Sequence, residues 1–190
     1  MSFSNIVIIS GPSGAGEDSV IEGLRAHTTI NRVVTTTTRA PRAGEAEGNP
    51  YYFVSHEVFE ERVSKGAMIE WARQYNNELY GVTREELERV NALPGLGVWK
   101  LEYQGVIAAR ALFPEIRSIL LLAESLEVLE QRIRSRDSVV SDAFIRDRMH
   151  YTQEWLKHTD AYDHVVINKQ GCLHETILEV IDILRKEQYL

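Results

Sequence analysis

The stretch Gly11-Pro12-Ser13-Gly14-Ala15-Gly16-Glu17-Asp18-Ser19 has the glycine spacing of the phosphate-binding pattern G-x-x-x-x-G-K-[ST], but Glu17 stands where the lysine belongs. In that pattern the loop amides cradle phosphates, the lysine reaches the β- and γ-phosphates, and a hydroxyl holds Mg²⁺. The candidate phosphate contacts are therefore Gly11, Ser13, Gly14, Ala15, Gly16, Glu17, Asp18 and Ser19. Ser19 is the better metal ligand, with Asp18 beside it. At ~4 Å and an effective dielectric of ~20, two unit charges interact by roughly 4 kcal/mol. Exchanging attraction for repulsion at position 17 therefore changes phosphate affinity by ~8 kcal/mol if nothing else moves. Either a cation elsewhere compensates, or the loop no longer serves ATP in the usual way.

Two basic constellations supply candidate cations. Thr35-Thr36-Thr37-Thr38-Arg39-Ala40-Pro41-Arg42 puts two arginines on a stiff turn after a β-branched run, and the planar guanidinium suits bidentate phosphate recognition. Tyr51 and Tyr80 add hydroxyl donors. Arg132, Arg134 and Arg136, followed by Arg146 and Arg148, form a basic segment between two helices. Arg132 and Arg136 share a helix face if the helix continues that far. The six histidines are scattered, without metal-ligand spacing. Cys172 is the only cysteine, so an intrachain disulfide is excluded and a zinc cluster is not expected.

These residues must be held by elements legible in the pattern. Ile6–Ile9 is an apolar run expected to be a buried parallel strand, and Ser19–Arg25 has helical spacing. Strand, glycine loop and helix N-terminus aim backbone N–H groups at an anion. Val33–Thr38 is expected to be one strand, followed by Tyr51–Val54, a Ser55-capped helix over His56–Lys65, and strands Met68–Ala72 and Leu79–Val82. Thr83 and Glu86 form a capping box for a helix to about Leu93. Then come a strand Gly97–Leu101, a helix Gln104–Leu112, a strand Ser118–Leu122, a Ser125-capped helix to about Ser135, a helix Asp142–Lys157, a strand His164–Ile167 and a closing helix Cys172–Glu187. Such alternation predicts a mostly parallel sheet covered on both faces.

The 190 residues suffice for one α/β domain with a substantial core. No apolar run reaches the ~20 residues needed to span a bilayer. The N-terminal Met1-Ser2-Phe3-Ser4-Asn5 has no basic region, so no signal peptide and a cytoplasmic location are expected. The net charge of −7 argues against a nucleic-acid partner, and no membrane partner is expected either. The expected assembly is a monomer or homodimer.

The chain resembles the guanylate kinase family. The resemblance is carried by Thr37-Thr38-Arg39 with Pro41-Arg42, Gly44-Glu45 and Gly48, and by Tyr51 through Ser55. Gly66 through Ala72, Tyr80-Gly81, Gln104-Gly105 and Tyr162 through Asn168 continue it in order over nearly the whole length. It implies a P-loop NTPase three-layer α/β fold with a parallel central sheet, a single domain over 1–190. Within it, 1–32 and 96–190 form the core, about 33–95 an inserted GMP-binding subdomain, and about 134–150 an Arg-rich lid.

The resemblance also implies residue roles. Thr35, Arg39, Arg42, Tyr51 and Tyr80 contact the acceptor monophosphate, with Glu45 beside them; Glu70 reads the guanine edge; Asn168 contacts adenine; Arg136 and Arg148 stabilise the transferring phosphoryl group. The chain departs from the family at Val82, where a hydroxyl is usual, and at Glu102, where aspartate is usual. It also has Lys100 where the family tends to be acidic, on the strand expected beside the loop strand. A reciprocal charge swap is thus open, in which Lys100 neutralises Glu17 or reaches the phosphates itself. Equally open is a plain structural salt bridge in a loop that has lost ATP. The leading expectation is Mg²⁺-dependent phosphoryl transfer from ATP to GMP. The alternatives are a non-catalytic binding module that keeps the monophosphate pocket for phosphopeptides, as in membrane-associated guanylate kinase scaffolds, or a kinase for another small phosphate acceptor.

Overall fold

A computed structural model describes residues 3–42, 44–73, 77–136 and 141–190, and for Arg136 the backbone alone. In chain order the elements are β1 (Ile6–Ser10), α1 (Glu17–Leu24), β2 (Ile30–Arg32), β3 (Thr35–Thr37), β4 (Ala46–Glu47), β5 (Pro50–Phe53), α2 (His56–Ser64), β6 (Met68–Arg73), β7 (Leu79–Thr83), α3 (Arg84–Asn91) and β8 (Leu96–Lys100). There follow α4 (Tyr103–Leu112), β9 (Ser118–Leu122), α5 (Leu126–Arg136), α6 (Asp142–Leu156), a 3₁₀ turn (Thr159–Ala161), β10 (His164–Ile167) and α7 (Leu173–Lys186).

Five strands in the order β10-β9-β1-β8-β2 form a wholly parallel sheet. β1 lies at its centre and is buried along its length, as a strand covered on both faces must be. Val7 and Ile9 pack with Val20, Ile21 and Leu24 of α1 and Val180, Ile181 and Leu184 of α7. Ile6 and Ile8 pack on the other face with Val106 and Ala109 of α4 and Trp155 of α6. Each such aliphatic side chain contributes roughly 1.5–3 kcal/mol of burial, so the loop after β1 is anchored to the most heavily packed strand.

A second, mixed sheet has the order β4-β5-β3-β7-β6. The expected strand Val33–Thr38 is shortened to Thr35–Thr37 in the second sheet, and a separate strand, Ile30–Arg32, precedes it in the first. Ile30-Asn31-Arg32 pairs with β8, while Thr35–Thr37 pairs with β5 and β7. The β-branched run discloses β3 but not β2, because Asn31 is a poor strand former. The crossing is held by Val33 N–H donating to the Val98 carbonyl (2.9 Å) and Val34 N–H donating to Glu86 Oε1 (2.7 Å). Half of the expected capping box forms: Thr83 Oγ1 accepts from Glu86 N–H at 3.2 Å. The Glu86 carboxylate turns instead to Val34 and to Arg89, whose Nε and Nη2 donate at 2.8 and 2.7 Å. No helix among the described residues is long and apolar enough to cross a membrane.

Candidate active site

The loop between β1 and α1 is shaped by glycine. Gly16, the N-cap of α1, sits at φ 98°, and a Cβ there would collide with the Asn168 Nδ2 atom. At Gly11 a Cβ would come within 2.6 Å of the Leu121 carbonyl of β9. Asn168 Nδ2 donates to the Ala15 carbonyl (2.8 Å), and Thr176 Oγ1 donates to Asn168 Oδ1 (3.2 Å). Asn168 is buried, and both ends of its amide are engaged. Its side chain supports the loop from beneath. Arg132 does the same from α5, donating through Nη1 to the Gly14 carbonyl (3.2 Å) and through Nη2 to the Asn168 carbonyl (2.9 Å). Sequence reasoning grouped Arg132 with the other arginines; its lone clue was a basic residue between the buried Leu129 and Ile133.

Glu17 and Asp18 occupy the first turn of α1, the positive end of the helix dipole that such loops offer to phosphate. Asp18 stands directly after the lysine position, where the pattern places its hydroxyl, and Ser19 is one residue further on. The Lys100 ammonium meets Asp18 Oδ2 at 2.9 Å, and Arg32 Nη1 meets Asp18 Oδ1 at 3.1 Å. The ion-pair partner of Lys100 is thus the neighbouring carboxylate, while its charge also acts on Glu17. Burial pushes the Glu17 carboxyl up, and the Lys100 charge opposes this without cancelling it. For Asp18 burial works against the charge, but the hydrogen bond and charge of Lys100, with Arg32 behind them, hold its carboxyl below the usual range.

The acceptor candidates converge on the second sheet. Arg39 Nη2 donates to both carboxylate oxygens of Glu45 at 2.9 Å, and Glu45 Oε2 also accepts from the Arg42 N–H at 2.8 Å. The Arg39 guanidinium lies 5.4 Å from the Tyr51 ring centroid and 5.8 Å from that of Phe53. Tyr51 and Tyr80 meet edge to face at 5.9 Å, and Thr35 pairs in register with Tyr51. Burial raises the Tyr51 hydroxyl, and Lys100 is among the cations that oppose the shift. Lys100 is therefore within electrostatic reach of Tyr51 as well as of Glu17 and Asp18.

Glu70 on β6 faces the first turn of α4, where a Cβ on Gly105 would stand 3.6 Å from its Oε2. Burial, and then the like charge of Glu102, raises the Glu70 carboxyl to about 7. Glu102 is the N-cap of α4, yet its side chain makes no capping bond and accepts instead from the Tyr151 hydroxyl at 2.6 Å. Val82 pairs in register with Glu70 but is wholly buried among Val33, Leu87 and Val90. Its expected place among the acceptor contacts is corrected, since it has no surface to offer.

Of the lid residues, Arg148 lies on α6 with its guanidinium 5.1 Å from the Phe144 ring centroid. Arg134 bridges Glu130 and Asp142, each at 2.8 Å, tying α5 to α6. The Arg136 side chain and residues 137–140 lie outside the described residues.

Among the described residues no cluster of three His, Cys, Asp or Glu is placed to hold a metal ion. The Ser19 hydroxyl and the Asp18 carboxylate, the latter shared with Lys100 and Arg32, are exposed hard oxygen donors in the first turn of α1. They fit Mg²⁺, which takes one or two protein oxygens and completes its shell with substrate phosphate and water.

A glycine loop at the helix N-terminus after the central strand of a parallel, doubly covered sheet defines a phosphate-binding-loop α/β protein. The sequence profile described as guanylate kinase matches residues 3–187. A guanylate kinase from Idiomarina loihiensis is 39% identical over 170 residues, spanning 87% of this chain and 80% of the relative. One from Haemophilus influenzae is 35% identical over 192 residues, spanning 99% and 90%. The crystal structure of guanylate kinase from Anaplasma phagocytophilum superposes with a TM-score of 0.72 at 28% identity, over 97% of this chain and 86% of that one. The chain belongs to the guanylate kinase family.

Proposed function

We propose that the protein transfers the γ-phosphoryl group of ATP to GMP. The observation that carries this reading is the location of Lys100, at the end of β8 in register with Ile9 of the loop strand, where its ammonium pairs with Asp18 at the donor loop. Its pair with Asp18 leaves the lysine side chain 43% and the aspartate 61% exposed. Exposed pairs of this kind contribute at most about 1 kcal/mol, so a polyphosphate can draw Lys100 away at little cost. The ammonium then supplies the positive charge that position 17 lacks.

In this reading Arg39, Arg42, Tyr51, Tyr80 and Thr35 hold the acceptor phosphate, and Glu45 holds the Arg39 guanidinium and the Arg42 backbone in place. Glu70 and Glu102 accept from the N1 and N2 donors of guanine. The backbone amides around Gly14 and Gly16 cradle the donor, on a loop held in shape by Asn168 and Arg132. An acceptor phosphate oxygen attacks the γ-phosphorus in line as ADP leaves, so no covalent intermediate on the protein is required. Arg148 and Arg136 of the lid stabilise charge on the transferring group, since catalysis here is chiefly positioning and charge stabilisation. Mg²⁺, held by Ser19 with Asp18 beside it, would neutralise charge on the donor phosphates. A cytoplasmic location, where both nucleotides are found, belongs to this proposal.

A second reading has its own support: Lys100 and Arg32 are both committed to Asp18, which suits a loop that has given up ATP. The protein would then be a binding module with an intact monophosphate pocket. ADP release measured with ATP, Mg²⁺ and a panel of nucleoside monophosphates, beside calorimetry with GMP alone, separates the two. GMP-dependent turnover supports the kinase, and GMP binding without turnover supports the module.

A further inference from the structure

We infer that Tyr151 is a positioning residue that sets base selectivity by holding Glu102 in the acceptor pocket. The inference rests on the assignment of Glu102 to the guanine edge made above. Glutamate is one methylene longer than the aspartate usual at this position, and an unrestrained glutamate forfeits more rotamer freedom when a ligand fixes it. Here the restraint is built in. The Tyr151 hydroxyl donates to Glu102 Oε2 at 2.6 Å and also reaches Gln104 Oε1 at 3.4 Å. This draws the Glu102 side chain away from the capping bond that an N-cap residue ordinarily makes.

Tyr151 is itself held. Its ring packs at 5.8 Å against Tyr103 and edge to face at 5.9 Å against Trp155. Trp155 is buried, and its Nε1 donates to the Tyr162 hydroxyl at 2.9 Å. That hydroxyl lies 2.9 Å from Ser10 Oγ, which donates to the Leu101 carbonyl at 2.6 Å. The contacts thus close a ring from the backbone beside Glu102, through the end of β1 and α6, back to the Glu102 carboxylate. Burial, and then the Glu102 hydrogen bond, keeps the phenol protonated and hence a donor. Arg148 lies one helical turn before Tyr151 on α6, so the base-reading carboxylate is tied to the helix that carries a lid arginine.

The test is Tyr151→Phe, which keeps the ring packing and deletes only the hydroxyl, with Glu102→Ala and the double variant completing a cycle. Calorimetry with GMP and with IMP, which lacks the 2-amino donor, reads the discrimination between them. The expected result is a GMP-over-IMP preference that falls about tenfold in Tyr151→Phe, with the double variant no worse than Glu102→Ala alone. An unchanged preference, equal weakening toward both nucleotides, or strict additivity overturns the inference and leaves the kinase reading standing. A wild-type protein that binds neither nucleotide overturns both.

Discussion

Replacing Glu70 by Gln should stabilise the protein at high pH while weakening its hold on GMP. Glu70 titrates near 7 because burial and Glu102 both disfavour its charge. The unfolded chain ionises the same carboxyl near its ordinary 4.5. Between those values the folded state binds more protons than the unfolded one, so stability falls as pH rises through that window and levels off above it. At about 1.4 kcal/mol per pH unit the interval sets a ceiling of roughly 3.5 kcal/mol on the cost of an ionised Glu70 at pH 8.5. Gln keeps the neutral form at every pH. Thermal melts should therefore show little difference between wild type and Glu70→Gln at pH 4.5 and a gain for the variant at pH 8.5. For about 2 kcal/mol in a chain of this size the gain is roughly 4–8 °C. GMP affinity of the wild type should climb between pH 6 and 8 as Glu70 becomes a carboxylate able to accept from guanine. Titration of the nucleotide phosphate near pH 6 is shared by both proteins, so the difference between their pH profiles isolates Glu70. A variant shifted equally at both pH values, or destabilised at pH 8.5, would refute the account of this pocket.

Three further outcomes follow from the same geometry. If Lys100 serves the donor loop in place of a lysine at 17, Glu17→Lys and Lys100→Asp should be non-additive in ATP affinity, coupled by at least about 1 kcal/mol; strict additivity in titrations of the single and double variants would sever the two positions. Arg39→Ala should weaken GMP binding by on the order of a hundredfold, since it removes a guanidinium oriented by two Glu45 contacts; calorimetry should find ATP affinity almost unaltered. Asn168→Ala removes the bond to the Ala15 carbonyl and should raise KM for ATP while leaving KM for GMP near its original value in steady-state assays.

The loop, its strand and its helix were readable because glycine spacing and an apolar run are local signals, and β1 and α1 lie where those signals put them. The turn that brings Arg39 and Arg42 to Glu45 was readable for the same reason, since the three are near neighbours in the chain. What escaped depends on contacts across long separations. Nothing near Arg132 announces that it bonds the Gly14 carbonyl, 118 positions away. Nothing near Lys100 tells Asp18 from Glu17 as its partner, because adjacent residues on a helix differ only in the direction they point. Val82 illustrates the reverse case: it shares the Tyr80 face of β7, yet packing against Val33, Leu87 and Val90 buries it completely, a long-range contact that its place beside Tyr80-Gly81 does not reveal.

The most direct test of the central claim is ADP formation by the purified wild-type protein with ATP and Mg²⁺, assayed with and without GMP. The account predicts turnover that requires GMP, yields GDP in equal amount, and collapses in Lys100→Ala while GMP binding persists. Tight GMP binding with no GMP-dependent ADP, or full turnover in Lys100→Ala, would contradict it.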